Sequence, residues 1–425
     1  MEDSTMSYTK NDIYRLVEDE DVEFIRLQFT DLYGNLKNMA VTSSQLEKAL
    51  DGKCRFDAAA IENYSGEKNI SMYLRPDLDT FEIFPWRPQQ GKVARMFCDV
   101  YTIDGNPYDG DPRYILKRAI DKATSMGYEF NVGPECEFFL FNTDENALPT
   151  TNTNEKAGYF DCGPADFGEN ARRDIVLTLE QMNFTVESSH HEMAPAQHEV
   201  DFLYDEALKT ADNIQTFKLA VKTIAKRHGL HGTFMPKPKK GINGSGMHIN
   251  MSLMKDGKNI FNDLSDELGL SKEAYYFLGG LSKHLKAITA VTNPIVNSYK
   301  RILANKNLIF EIPSDAGENA RIEFKSPDPS ANPYLALAVC LSAGLDGIEN
   351  KIMPSKNVLT KWSAAAGSLP ETLIEAIEEL EHDQVIKATL GQTLCKNFIS
   401  IKKKEWEEFC GQVTNWEIEQ YLDKY

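Results

Sequence analysis

The sequence predicts an α+β fold in two parts, a small β-rich unit followed by a larger domain that mixes sheet with helices and closes on helices. Three observations predict it. Residues 22–46, VEFIRLQFTDLYGNLKNMAVTSSQL, alternate apolar and polar side chains around Tyr33-Gly34-Asn35, the pattern of a hairpin. Residues 104–112, DGNPYDGDP, gather turn formers and mark a boundary, giving domains 1–108 and 109–425. Past that boundary, segments of helical period and segments of strand period succeed one another.

In chain order, a short helix-like start precedes the hairpin, and DTFEIFPW (79–86) and KVARMFCDVYT (92–102) continue the small unit as strands. In the larger domain RYILKRAIDKATSMGY reads as an amphipathic helix, EFNVGPECEFFLFN as a strand and ENARRDIVLTLEQMNF as a second helix. LPETLIEAIEELEHDQVIKATLG and KNFISIKKKEWEEFCGQV carry helical periodicity near the end. No internal repeat or low-complexity segment interrupts this order.

Composition excludes several functions. The 425 residues contain no apolar run near the roughly 20 that a spanning helix needs, so no membrane role is expected. The first twenty residues lack the basic start and apolar stretch of a secretory signal, and a cytoplasmic location is expected. Seven cysteines, with no C-x-x-C pair, read as reduced structural thiols. A net charge of −18 repels polyanions, so nucleic acid is not an expected partner. An acidic protein still binds phosphorylated substrates when metal ions neutralise both sides.

Three groups of acidic residues stand where apolar ones belong. Glu135 and Glu137 share one face of the apolar strand 130–141 because strand side chains alternate. In SSHHEMAPAQHEVDF (188–202), Glu192 and Glu199 bracket a Pro-containing turn beside His190, His191 and His198. In ARIEF (320–324), Glu323 faces opposite to Ile322 and Phe324. Alone, the Glu135–Glu137 pair reads equally well as a solvated sheet edge. Together, buried carboxylates cost several kcal/mol each unless cations accompany them, and oxygen donors suit Mg²⁺ or Mn²⁺. His248, in the glycine-rich INGSGMHIN (242–250), is a candidate imidazole ligand, although a lone histidine is more often a satisfied core residue and such a stretch more often a turn.

The segments GPECEFFLF, YFD, ENARRDIVLTLE, SHHEMAPAQHEVDF, FMPKP, NGSGMH, NPIVNSYKR and SPDPSANPYLALA occur in an order that resembles the glutamine synthetase family, specifically type I enzymes of the α subgroup. The resemblance implies a β-grasp-like N-terminal domain, a catalytic domain with a curved antiparallel sheet, and hexameric rings stacked into a dodecamer. It implies ATP-dependent joining of ammonia to glutamate through γ-glutamyl phosphate. It also implies one metal on Glu137, Glu192 and Glu199, a second on Glu135, His248 and Glu323, and Asp57 as the ammonium-binding aspartate, supplied by a neighbouring subunit. Tyr159 matches a residue beside the ammonium site, and Asn243, Gly244 and Arg301 match residues that hold glutamate. Glu187, Tyr204, Ser252 and Arg321 match nucleotide-binding positions, with the guanidinium of Arg321 suited to phosphate.

The sequence departs from the family around phosphoryl transfer. After NSYKR it reads ILANKNLIFEIP, so roughly a dozen residues that carry the flap glutamate are absent. Lys306 and Glu311 replace family arginines, the second with reversal of charge, and Lys325 replaces a substrate-contacting arginine. Ala58-Ala59-Ala60 replace Gly-Ser-Ser, Gly66 falls where many α-type members carry a regulatory arginine, and residues 355–371 lack the tyrosine adenylylated in the β subgroup. Two readings follow: a working glutamate–ammonia ligase or γ-glutamyl ligase with another acceptor amine, and a regulatory paralogue with impaired turnover.

Overall fold

A computed structural model describes residues 7–62, 64, 70–304, 309–313, 317, 319–355 and 369–425. Gly66, Lys306 and most of 355–371 lie outside the described residues. The first of two sheets is built from β1 (Val22–Thr30), β2 (Leu36–Thr42), β3 (Cys54–Asp57), β4 (Ser71–Pro76), β5 (Glu82–Ile83) and β6 (Lys92–Thr102). Its order is β2-β1-β6-β4-β3, with β5 on β6; β1 and β6 are parallel and the other pairs antiparallel. Helix Lys10–Asp19 packs Ile13 and Val17 into the same core. A parallel central pair backed by a helix is the β-grasp-like arrangement the resemblance implies.

The expected hairpin pairs Thr30 with Leu36, and Gly34 at its tip has a φ of 80°, which an L side chain rarely adopts. That tip docks on the larger domain. Gln215 Nε2 donates to Gly34 O (3.2 Å), and Asn332 Nδ2 donates to Asp31 O (3.2 Å). Residues 79–86, expected as a strand, contribute only the two residues of β5. Leu78–Thr80 instead form a 3₁₀ turn, because the Thr80 hydroxyl donates back to Asp77 O (2.6 Å) while accepting from Phe97 N (2.8 Å).

At the predicted boundary, Asp111 caps helix Pro112–Ser125 by accepting from Arg113 N (3.1 Å), and its second oxygen accepts from Val100 N (3.0 Å). Arg113, with a side chain 2% exposed, bonds Asp77 (2.8 Å) and Asp99 (2.7 Å) of the first part and Asp212 (2.8 Å) of helix Ala207–Arg227. One buried guanidinium therefore welds the two parts. Removing it would leave buried Asp212 with the Tyr334 hydroxyl (2.6 Å) but no cation, while Asp99 would keep Lys117 (2.6 Å).

The second sheet comprises β7 (Glu129–Asn142), β8 (Val186–His191), β9 (Gln197–Phe202), β10 (Asp205–Glu206), β11 (Leu230–Thr233), β12 (Met247–Lys255), β13 (Lys258–Asn259), β14 (Phe310–Glu311) and β15 (Ile322–Phe324). Its order is β14-β15-β12-β7-β9-β8, antiparallel throughout, with β10 and β11 on β7 and β13 on β12. Phe130, Val132, Cys136 and Phe138 of β7 face a core closed by helices Ala207–Arg227, Lys272–Thr292 and Pro333–Glu349. The alternate positions of β7 include Glu135 and Glu137, which point to the other face. Near the end, the helical run 369–391 is two helices, Leu373–His382 and Gln384–Leu390, broken where Asp383 caps the second. Among the described residues no helix is long and apolar enough to cross a membrane, and the cysteines are free.

Candidate active site

Strand register builds the site. Glu135 lies opposite His248 on β7 and β12, Glu137 opposite Glu199 on β7 and β9, Glu323 opposite Asn250 on β15 and β12, and His190 opposite Glu199 on β8 and β9. Directly opposed side chains in an antiparallel pair have Cβ atoms about 5 Å apart on one face, so carboxylates scattered over nearly 190 positions of sequence converge.

Two groups form. In one, His248 Nδ1 lies 2.9 Å from Glu135 Oε2 and 3.4 Å from Glu323 Oε1, and Asn250 Nδ2 donates to Glu135 Oε1 (2.8 Å). In the other, His190, Glu192 and Glu199 come together, with His190 Nε2 3.0 Å from Glu192 Oε1. Each group offers ligand atoms within 4.8 Å of one another. Glu137 lies between the groups. Its Oε2 accepts from Gln197 Nε2 (2.6 Å) and Gly246 N (2.9 Å), and its Oε1 lies 3.9 Å from His248 Nε2. Gly246 permits this approach, since a Cβ there would meet His248 Nε2 at 2.8 Å and Arg301 Nη2 at 2.6 Å.

Burial is the largest influence on Glu135, Glu137, Glu199 and Glu323. It raises the pKa of Glu137, and it raises that of Glu199 with Asp201 and Glu137 adding repulsion. Glu323 is raised by burial and by Glu135. Burial also acts upward on Glu135, but the hydrogen bond and charge of His248 outweigh it and hold that carboxyl below its usual range. Carboxylate oxygens with one imidazole per group, crowded together and partly buried without enough cationic partners, are a donor set that fits divalent oxygen-seeking cations.

Other candidate residues surround this face. Arg301 is buried, donating to Ser326 O (2.7 Å) and Lys325 O (3.2 Å) beside Gly244 and Gly246. Asn243 is exposed next to them, with its amide 3.2 Å from Met193 Sδ. Tyr159, 57% exposed, sets its ring edge-on to His190 at 5.6 Å. Arg321 Nε donates to Asn250 Oδ1 (3.1 Å). Tyr204 packs over Gly133, and burial raises its pKa. Glu187 is exposed at an irregularity in the β8–β9 register between Val186 and Ser188. Ser252 shares the site face with His248 and Asn250, yet its side chain is fully covered. Asp57 belongs to the other sheet, exposed at the end of β3, where it caps Ala58–Ala60 by accepting from Ala59 N (3.0 Å).

The structure changes the reading of Glu311. Taken from sequence as a reversed charge without compensation, it lies directly opposite Glu323 on β14 and β15 and accepts from Lys325 Nζ (3.0 Å). The same ammonium donates to Glu323 Oε1 (2.7 Å). Both departures from the family thus form one ion pair. His190, noted in the sequence beside Glu192 and Glu199 but given no role, belongs to the site, and one further residue was passed over, Asp201, which lies opposite Glu135 and accepts from the Ser188 hydroxyl. Alternation along β9 was the available signal for Asp201, since it follows Glu199 by two.

A β-grasp-like unit joined to an antiparallel sheet whose open face carries two cation-ligand groups defines a metal-dependent enzyme class, and comparison with known proteins specifies it. Residues 21–103 match the family model "Glutamine synthetase, beta-Grasp domain" and residues 109–421 match "Glutamine synthetase, catalytic domain". The chain belongs to the glutamine synthetase family. A protein of Clostridium saccharobutylicum named glutamine synthetase is 53% identical, with 98% of this chain and 99% of that one covered. A glutamine synthetase of Staphylococcus aureus (strain MW2) is 48% identical, with 99% of each chain covered. The solved structure of GmaS without ligand superposes with a TM-score of 0.89 at 33% identity, covering 97% of this chain and all of that one. GmaS in complex with ADP gives 0.87 at 30% identity, covering 97% and 99%. The alignment with the clostridial protein spans 440 positions against 425 residues here, so at least 440 − 425 = 15 positions have no counterpart in this chain.

Proposed function

We propose that this chain is a type I, α-subgroup glutamine synthetase that joins ammonia to glutamate at the expense of ATP, passing through γ-glutamyl phosphate. The observation that carries the proposal is the convergence of Glu135, Glu137, Glu192, Glu199, His248 and Glu323 on one sheet face, in a chain similar over its full length to proteins of that name. Glu137, Glu192 and Glu199 would hold one Mg²⁺ or Mn²⁺, and Glu135, His248 and Glu323 a second. Such cations neutralise nucleotide phosphate charge during phosphoryl transfer.

The chain's own residues supply the rest. Arg321 orients phosphate, with Glu187, Tyr204 and Ser252 around the nucleotide. Asn243, Gly244 and Arg301 hold glutamate near Lys325. Tyr159 lies beside the acceptor amine, and Asp57 of a neighbouring copy deprotonates it, which requires a ring-forming homo-oligomer such as a dodecamer of two hexamers. The domain division falls at 108/109, and the enzyme works in the cytoplasm. A monomer by light scattering at micromolar concentration would remove the shared site.

One observation favours a second reading, an impaired regulatory paralogue. The chain lacks at least 15 positions of its clostridial relative, and the sequence places such a gap where the family carries its flap. An acyl phosphate exposed to water is lost to hydrolysis unless the site closes. Phosphate release is to be measured with ATP, Mg²⁺ and glutamate, plus ammonium or a polyamine. Turnover of about ten per second with ammonium is an ordinary enzymatic rate and would eliminate the paralogue. Turnover only with the polyamine would shift the acceptor, and none with either would overturn the ligase.

A further inference from the structure

The loop joining β8 to β9 carries Glu192, and Glu199 follows just inside β9, so the shape of this loop decides how the two carboxylates are presented. Backbone bonds close it, from Glu192 N to Gln197 O (2.8 Å), from Gln197 N to Ala194 O (3.0 Å) and from Leu140 N to Ala196 O (2.9 Å), but they leave the Ala196 N–H unused. Ala196 has a φ of 67°, the left-handed region that side chains with a Cβ avoid, so a further partner for its N–H helps to hold that turn. The support comes from Glu155, far away in the irregular segment before Tyr159. Glu155 is 6% exposed. Its Oε1 accepts from the Ala196 backbone N–H and lies 2.9 Å from His191 Nε2, while its Oε2 accepts from Phe167 N (2.9 Å). His191 Nδ1 in turn lies 2.7 Å from the carbonyl oxygen of Glu192. One carboxylate thus touches both ends of the turn.

We propose that Glu155 is a positioning residue for the Glu192–Glu199 cation group: by tying His191 to Ala196 it fixes the separation at which these two ligands face the metal. The inference rests on the two-cation reading above. Residues that orient metal ligands commonly change affinity roughly 10–100-fold when removed, because the ligands then sample geometries that do not bind.

The cluster around Glu155 invites a different reading, since Glu155, Asp166, His191 and His198 are all buried with ligand atoms within 4.8 Å of one another. A third cation does not fit there. Arg172 Nη1 already brings a positive charge to two of its four members, 2.7 Å from Asp166 Oδ2 and 2.8 Å from His198 Nδ1. The other nitrogen of His198 faces Gly168, where even an added Cβ would lie 2.3 Å from it. Both oxygens of Glu155 are also taken up by the contacts just given. The cluster therefore acts as a buried clamp, with Arg172 supplying its positive charge.

Mn²⁺ binding to the metal-stripped full-length protein, read by electron paramagnetic resonance of free Mn²⁺, tests this. Wild type should show two classes of site. Glu155→Ala should weaken one class roughly 10–100-fold and leave the other within about twofold. Glu155→Gln, which keeps one acceptor oxygen for the Ala196 N–H at unchanged volume, should fall between. Equal weakening of both classes, or no weakening of either, overturns the positioning role. If Glu155→Ala does not fold, the same split between classes is read on Glu155→Gln. A wild type without two classes fails earlier, on the two-cation reading itself, and takes this inference with it.

Discussion

Replacing Lys325 by methionine separates charge from packing at the edge of the site. The ammonium lies 2.7 Å from Glu323 Oε1 and 3.0 Å from Glu311 Oε2, while Glu323 and Glu135 both crowd His248. Lys325→Met leaves Glu323 and Glu135 to share the His248 imidazole and takes away the cation paired with Glu311. A charge-assisted hydrogen bond contributes about 1.5–3 kcal/mol, and the Glu323 side chain, 7% exposed, should give close to that. Glu311, 40% exposed, adds only a few tenths because water screens it. The total is about 2–3 kcal/mol. An unfolding entropy of about 2.1 cal/mol/K per residue over 425 residues comes to about 0.9 kcal/mol/K, so the metal-free protein should melt about 3 °C lower. With saturating Mn²⁺ a cation again stands beside Glu323, and the deficit should shrink below about 1 °C. Thermal melts in EDTA and in Mn²⁺, at one protein concentration, measure both. An equal drop in the two conditions would refute the reasoning and assign the lysine to packing.

Three further outcomes follow from the geometry. Glu137→Gln with Glu199→Gln should abolish the melting-temperature increase that Mn²⁺ or Mg²⁺ gives the wild type, because both carboxylates face one another across β7 and β9; a surviving increase places the metals elsewhere. Glu311→Arg should not raise glutamine formation, since it sets a guanidinium against Lys325 Nζ, and a tenfold gain in phosphate release would show that the ion pair is no compensation. His284 lies 2.5 Å from Asp383 and 3.0 Å from Asp346. Burial lowers its pKa, but these hydrogen bonds outweigh burial and raise it, while the His284 hydrogen bond is the chief influence that outweighs burial and lowers both aspartates. Stability from the raised histidine is complete below its unfolded pKa near 6.5 and is lost as pH rises through the folded value. Stability from the depressed aspartates is present above their unfolded pKa near 3.9 and is lost as pH falls. His284→Ala should therefore cost on the order of 2 kcal/mol between about pH 5 and 6.5 and progressively less at alkaline pH, checked by urea melts; a loss independent of pH would mean packing alone.

Much of this protein was legible in its sequence. Alternation alone placed Glu135 and Glu137 on one face, and helix Pro112–Ser125, β7 and helix Glu169–Glu180 all fall where periodicity put them. Such features are local, decided by neighbours two to four positions away. Residues 79–86 were misread for the same reason in reverse: they have strand composition, yet Thr80 bonds Phe97, seventeen positions distant, and turns the chain. The resemblance gathered the six proposed ligands as a set. Tertiary structure alone decided how they meet: register sets Glu137 against Glu199 and Glu135 against His248, Lys325 neutralises Glu311, Arg113 joins the two parts, and Glu155 ties the loop between Glu192 and Glu199. Each of these contacts depends on which strand lies beside which, and a charge taken alone in the sequence carries no sign of the partner that will be folded against it.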